Sequence, residues 1–135
     1  MKNLLENDVK GYIGSEKYLC TISWRNGTFI MDEPQSIGGK DLGPDPYSTL
    51  LASLAGCTLS TLRMYIDRKG WDIPEINISL NLYLENNVEP TTVINRVIRF
   101  PKTIEDDIKK RLLLIAEKCP VSKILKSNIV INTTI

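Results

Sequence analysis

The sequence predicts an α+β fold with an antiparallel sheet, and three observations carry that reading. Short apolar segments come in two pairs, each pair joined by turn-forming residues. A long uncharged helical stretch separates the pairs. A shorter amphipathic helix follows the second pair, giving the order β-β-α-β-β-α-β with an extra strand expected near the N-terminus. One domain spanning residues 1–135 is expected, without repeats or low-complexity segments.

Residues 18–24, YLCTISW, place Tyr18, Cys20, Ile22 and Trp24 on one face of a strand. Asn26-Gly27 follows, a pair that tolerates the positive φ of a two-residue hairpin turn, and Thr28–Met31 returns. Asp32–Asp45 is rich in Pro and Gly and reads as a loop. Asp45 then supplies an N-cap carboxylate and Pro46 fits the first helical position. The helix should run from about Tyr47 to Lys69, roughly 34 Å, and stop at Gly70. No charged residue falls between Asp45 and Arg63. A helix apolar on nearly every side must be buried on nearly every side, which predicts a subunit interface.

Glu75–Glu85 is the cleanest strand, with Ile76, Ile78, Leu80, Leu82 and Leu84 on one face. Asn86–Pro90 turns the chain, Thr91–Phe100 forms a less regular partner, and Pro101 ends it. Thr103, with Asp106 three residues on, suggests a capped start for the next helix. Its apolar stripe is Ile104, Ile108, Leu112 and Ile115, ending near Lys118. Cys119-Pro120 interrupts it, Val121–Lys126 makes a short helix, and Asn128–Ile135 reads as a final strand.

Composition narrows the chemistry. Lys plus Arg number 17 against 16 Asp plus Glu, so no global field argues for nucleic acid or an anionic membrane surface. The N-terminal residues do not read as a signal peptide, and no run of 18 apolar residues predicts a transmembrane helix. The expected setting is cytoplasmic, with reduced thiols. There is no histidine, which excludes Ser-His-Asp and Cys-His catalysis and histidine-ligated zinc. The three cysteines are Cys20, Cys57 and Cys119, with no CxxC pair. Cys20 reads as core filling on its strand. Cys57 is either a small residue at a helix seam or a thiol activated by an outside cation, since mid-helix gives no dipole assistance. Gly56 beside it hints at close approach of a neighbour. Cys119 is either a helix-ending core residue or a thiol facing the amides of the short helix that follows. A metal held by the two thiolates has no histidine to complete it.

The segments Gly43-Pro44-Asp45-Pro46-Tyr47, Leu50–Thr58, Thr61–Tyr65 and Arg68–Trp71, followed by Ala116–Val121 around Cys119-Pro120, strongly resemble the OsmC/Ohr family, in its short OsmC-like redox-protein branch. The resemblance covers essentially the whole chain. It implies an OsmC-like fold, antiparallel sheets packed around long central helices, in an intertwined homodimer with active sites at the subunit interface. It also implies a thiol-dependent peroxidase that acts on organic hydroperoxides in stress response and needs no cofactor. By position, Cys57 would attack the peroxide and become a sulfenic acid. Cys119 would resolve it as a disulfide, which a dithiol such as dihydrolipoamide would reduce.

The chain departs from the family's peroxidases in two places, a glutamate position and the spacing of the candidate arginine to the later landmarks. Those peroxidases carry a glutamate ten residues before the attacking cysteine, where this chain has Tyr47. The glutamate holds an arginine against the thiolate. Arg25, before the Asn26-Gly27 turn, is the candidate for that arginine, and Tyr47 could hydrogen-bond to it. Arg63 points to another side of the helix from Cys57, and Arg68 lies about 16 Å up the axis. The alternative function is a catalytically weak dimer that binds a small hydrophobic or thiol-reactive ligand.

Overall fold

A computed structural model of the chain describes residues 2–135. In chain order the elements are β1 (Lys10–Ile13), β2 (Cys20–Trp24), β3 (Gly27–Met31), α1 (Pro46–Lys69), β4 (Asn77–Glu85), β5 (Thr91–Arg99), α2 (Asp106–Glu117) and α3 (Pro120–Lys126). They fall into two compact units, one reaching to Leu50 and the other spanning Leu51–Ile135. The α+β class and the antiparallel pairing agree with the sequence, including the extra strand β1.

The first unit is the meander β1-β2-β3 followed by the Pro/Gly-rich loop. Trp24 pairs with Gly27, so Arg25 and Asn26 make the turn and the expected Asn26-Gly27 centre moves back by one residue. Asp41 is the only non-glycine residue with positive φ among the described residues, so the turn is not of the mirror-image type expected for Asn-Gly. Gly27 matters for space instead: a Cβ there would stand 2.5 Å from the Trp24 indole, which lies across the strand pair. Tyr18 lies just before β2, not within it. The loop is organised by Asp32, a buried carboxylate. It accepts backbone N–H bonds from Glu33 at 2.8 Å, Leu42 at 3.2 Å, Lys40 at 3.3 Å and Tyr18 at 3.4 Å. Asp45 caps α1 as its sequence position foretold. Its carboxylate takes the Ser48 hydroxyl and the Ser48 and Tyr47 amides, with Pro46 opening the helix.

In the second unit one face of α1 is buried: Leu54, Thr58, Leu62, Tyr65 and Ile66. The spacing is that of a single helical stripe. It packs with Ile73, Ile104, Leu112 and Ala116, flanked by Ile76 and Ile98 from the β4–β5 hairpin. Ile76, Ile78, Leu80 and Leu82 are half-buried while their neighbours are exposed, so the alternation holds; at Leu84 it fails, because that side chain is 67% exposed. Gly70, at φ +68°, ends α1 where expected. Arg63 binds the chain just beyond, donating to the Ile73 carbonyl at 2.9 Å and the Pro74 carbonyl at 3.0 Å. The helix α2 starts two residues later than Thr103 suggested, with Glu105 at its N-cap, because Ile104 is committed to the core. Residues 128–135 form no strand: among the described residues they have no paired neighbour, and a strand cannot be satisfied without one.

Other α1 residues outside this stripe range from half-buried to exposed. Tyr47, Leu50 and Met64 are exposed, and by length and composition alone the helix could cross a membrane.

Asp32 gives a pH-dependent prediction. Burial pushes its pKa up, but the four amides outweigh that and hold it below the ordinary value of 3.8. A lowered folded-state pKa contributes stability that is complete above the unfolded value and is lost as pH falls through the folded one. Asp32→Asn is therefore expected to lower the melting temperature at neutral pH, with the gap to the parent protein closing in acid. Thermal melts by circular dichroism across that range check this; a gap that stays constant into acid contradicts it.

Candidate functional site

Cys57 and Thr61 lie one position before Thr58 and Leu62 on α1, at the edge of the buried stripe. Cys57 is accordingly half-buried and Thr58 fully buried. Cys119 sits at the N-cap of α3, with Pro120 opening that helix, and is fully buried. Helix α3 thus faces the middle of α1. Its Val121 amide donates to Cys57 Sγ at 3.5 Å, and the two thiols are hydrogen-bonded to each other. Both cysteines are free. Residues far apart in sequence form one pair, as the notion of a two-thiol centre requires.

The two thiols differ in electrostatics. Burial pushes the Cys57 thiol up, and its bond to Cys119 pushes it further. Burial also acts upward on Cys119, but there it is outweighed. Hydrogen bonds from Cys57, the Ser122 amide, the Thr58 hydroxyl and the Val121 amide together hold Cys119 below the ordinary thiol range. The two thiols are thus driven in opposite directions, Cys57 up and Cys119 down.

A guanidinium stands behind this pair, and the sequence reading did not single it out. Arg96 on β5 donates to Thr58 Oγ1 at 2.9 Å and to Glu117 Oε1 at 3.3 Å, and Lys126 closes on the other Glu117 oxygen. Thr58 Oγ1 lies 3.8 Å from Cys119 Sγ and 2.8 Å from the Leu54 carbonyl. The Arg96 side chain is only 11% exposed. Arg96 also lines a cavity of about 600 Å³ bounded by β5 and α2, whose other walls include Leu62, Phe100 and Leu112. One signal could have found it. Arg96 pairs with Leu80 in the register that sets Ile94 opposite Leu82 and Ile98 opposite Ile78, so an arginine occupies an inward position on an apolar face.

Of the other expected site residues, Arg25 is exposed at the β2–β3 turn of the first unit. Tyr47 is 68% exposed in the first turn of α1. Cys20 is half-buried on β2, with its thiol toward the Tyr18 carbonyl at 3.6 Å. A Cβ at Gly56 would meet nothing within 4 Å, so the close approach expected there is not made among the described residues. Those residues also include no group of three or more metal-ligating side chains.

The model of the OsmC-like protein family matches residues 38–134, a span that holds both cysteines. Solved structures with the same fold include a putative osmotic stress induced and detoxification response protein from Psychrobacter arcticus. It is 20% identical with TM-score 0.74, over 91% of this chain and 90% of that one. An organic hydroperoxide resistance protein OsmC from Legionella pneumophila is 18% identical with TM-score 0.66, over 94% and 93%. The organic hydroperoxide resistance protein OhrB of Bacillus subtilis is 19% identical with TM-score 0.65, over 93% and 94%. No curated protein matches the chain significantly.

The order of ionisation is testable. With isotope-labelled cysteine Cβ resonances, Cys119 is expected to titrate at lower pH than Cys57. The reverse order contradicts the hydrogen-bond pattern.

Proposed function

The chain belongs to the OsmC-like protein family, and from that premise we propose that it is a two-cysteine peroxidase that reduces organic hydroperoxides. The observation that carries the reading is the hydrogen-bonded pair of free thiols, one half-exposed and one buried. Access supports the roles: Cys57 is half-exposed and open to a peroxide, whereas Cys119 is buried beside it. The Cys57 thiolate attacks one peroxide oxygen, the O–O bond breaks, and the departing alkoxide takes a proton to leave as the alcohol. Cys57 is now a sulfenic acid. The Cys119 thiolate attacks its sulfur, the S–S bond forms, and hydroxide leaves and is protonated to water. A dithiol such as dihydrolipoamide restores both thiols and is itself oxidised to a disulfide. No histidine is needed, because the O–O bond is weak and the nucleophile is a thiolate. The names of the Legionella and Bacillus proteins, both organic hydroperoxide resistance proteins, support the substrate class.

Arg25 and Tyr47 enter this proposal on sequence resemblance alone, as the cation and hydrogen-bonding hydroxyl that favour a charged Cys57. A homodimer completes it. A helix with a long uncharged stretch, and with Tyr47 and Met64 exposed along it, is suited to a cover. A second copy of the chain suits it better than lipid, because the same helix carries Cys57, Thr58 and Thr61 and ends in Arg68 and Lys69.

With cumene hydroperoxide, the parent protein is expected to lose both thiols and gain an intramolecular disulfide. Cys57→Ser should abolish consumption, and Cys119→Ser should stop at a sulfenic acid that dimedone traps. Arg25→Gln should slow consumption about tenfold, the worth of one charge-assisted hydrogen bond. Consumption no faster than by free cysteine would instead favour the ligand-binding alternative. Light scattering of the purified protein is expected to report twice the chain mass, and Ala52→Glu, on the exposed side of α1, should shift it toward one.

A further inference from the structure

We propose that Arg96 is a positioning residue for disulfide closure: by tying Thr58 on α1 to Glu117 at the end of α2, it holds the two cysteine-bearing segments against each other. The place of this step in a catalytic cycle rests on the two-cysteine reading, whereas the tie itself does not.

The segment that carries Cys119 has little anchorage of its own. Helix α3 is seven residues long, and Ser122 is its one buried residue. A helix so short is not stable by itself, so its place is set by what it is attached to. Its direct link to Cys57 is the Val121 amide at 3.5 Å. Sulfur is a weak acceptor, and such a bond does not fix a distance.

Arg96 supplies the stronger link. One guanidinium N–H donates to Thr58 Oγ1 at 2.9 Å and another to Glu117 Oε1 at 3.3 Å. Thr58 directly follows Cys57, and Glu117 stands two residues before Cys119. Lys126, the last residue of α3, closes on the second Glu117 oxygen. The contacts therefore run from the residue beside one cysteine to segments on both sides of the other. Both ends of the tie are themselves held. The fully buried Thr58 hydroxyl donates to the Leu54 carbonyl at 2.8 Å, which leaves a lone pair for Arg96. Glu117 is gripped by Lys126. A planar guanidinium that engages two groups at once sets their separation, which an ammonium does not.

The two steps of the proposed cycle make different demands on this tie. Attack on a peroxide oxygen needs the Cys57 sulfur and an open approach to it. Closure needs the Cys119 sulfur in line with the S–O bond of the Cys57 sulfenic acid. There the S–S bond forms, the S–O bond breaks, and hydroxide leaves and is protonated to water. A disulfide accepts only a narrow range of Cα and Cβ separations. Misplacement by about 1 Å can slow such a step on the order of a hundredfold. Loss of Arg96 is thus felt at closure, and in the balance between disulfide and open thiols.

The first experiment uses no peroxide. The protein is equilibrated with mixtures of reduced and oxidised glutathione, and the fraction holding a Cys57–Cys119 disulfide gives the effective concentration of one thiol toward the other. Arg96→Gln is expected to lower it about tenfold. Arg96→Lys, which keeps the charge but engages one group at a time, should lower it by less. Glu117→Gln, which leaves the Thr58 bond in place, should lower it as well and serves if Arg96→Gln does not fold. An unchanged effective concentration in the folded variants overturns the proposal, whatever happens to the melting temperature. A parent protein that forms no disulfide in these mixtures overturns it too. Stopped-flow mixing with cumene hydroperoxide then separates the steps. Arg96→Gln should form sulfenic acid at the parent rate and close the disulfide about tenfold more slowly. Equal slowing of both steps, or of neither, contradicts a role in closure. If the parent consumes no hydroperoxide, the peroxidase reading fails while the glutathione equilibrium still decides the role of Arg96.

Discussion

The second unit depends on the stripe that α1 turns to its core, and on the one polar side chain within it. Leu62, Tyr65 and Ile66 need only apolar neighbours, and the β4–β5 hairpin and α2 contribute them. Thr58 occupies the same stripe and is as fully buried. A buried hydroxyl without partners is costly, by roughly 1–3 kcal/mol. The structure meets this with an inward arginine on β5, and the arginine in turn calls for Glu117. The position of α2 and α3 relative to α1 is thus tied to one threonine, and the cysteine at the start of α3 comes with them.

Much of this was legible in the sequence because its signals were local. Asp45-Pro46 opened α1 and Gly70 closed it, since an N-cap carboxylate and a left-handed glycine act within a turn of themselves. The alternation along Ile76, Ile78, Leu80 and Leu82 likewise reports its own burial. Where the reading slipped, something outside the local pattern decided. The Trp24 indole, not a turn dihedral, crowds position 27. Ile104 is drawn into the core and delays α2. Residues 128–135 have the composition of a strand, but pairing needs two segments, and among the described residues none pairs with this one.

At the site the same division holds. Cys57 and Cys119 were visible as residues, and their meeting is a property of tertiary structure. Arg96 was harder to see, because an arginine in an irregular strand looks like a solvated one until the register places it opposite Leu80. The charge pattern around the thiols is equally non-local: its members come from α1, β5, α2 and α3, and no window of sequence contains them together.

The back-bond from Thr58 to the Leu54 carbonyl has a consequence of its own. In an α-helix that carbonyl already receives the amide of the residue four positions later, which is Thr58 itself. When the hydroxyl rotates toward sulfur, the carbonyl keeps its main partner and no orphaned acceptor is left in the core. What the rotation gives up is the hydroxyl's own bond to that carbonyl, roughly 0.5–1.5 kcal/mol, which the sulfur must return. A single torsion can thus pass the hydroxyl between carbonyl and sulfur while the helix that carries it stays as it was.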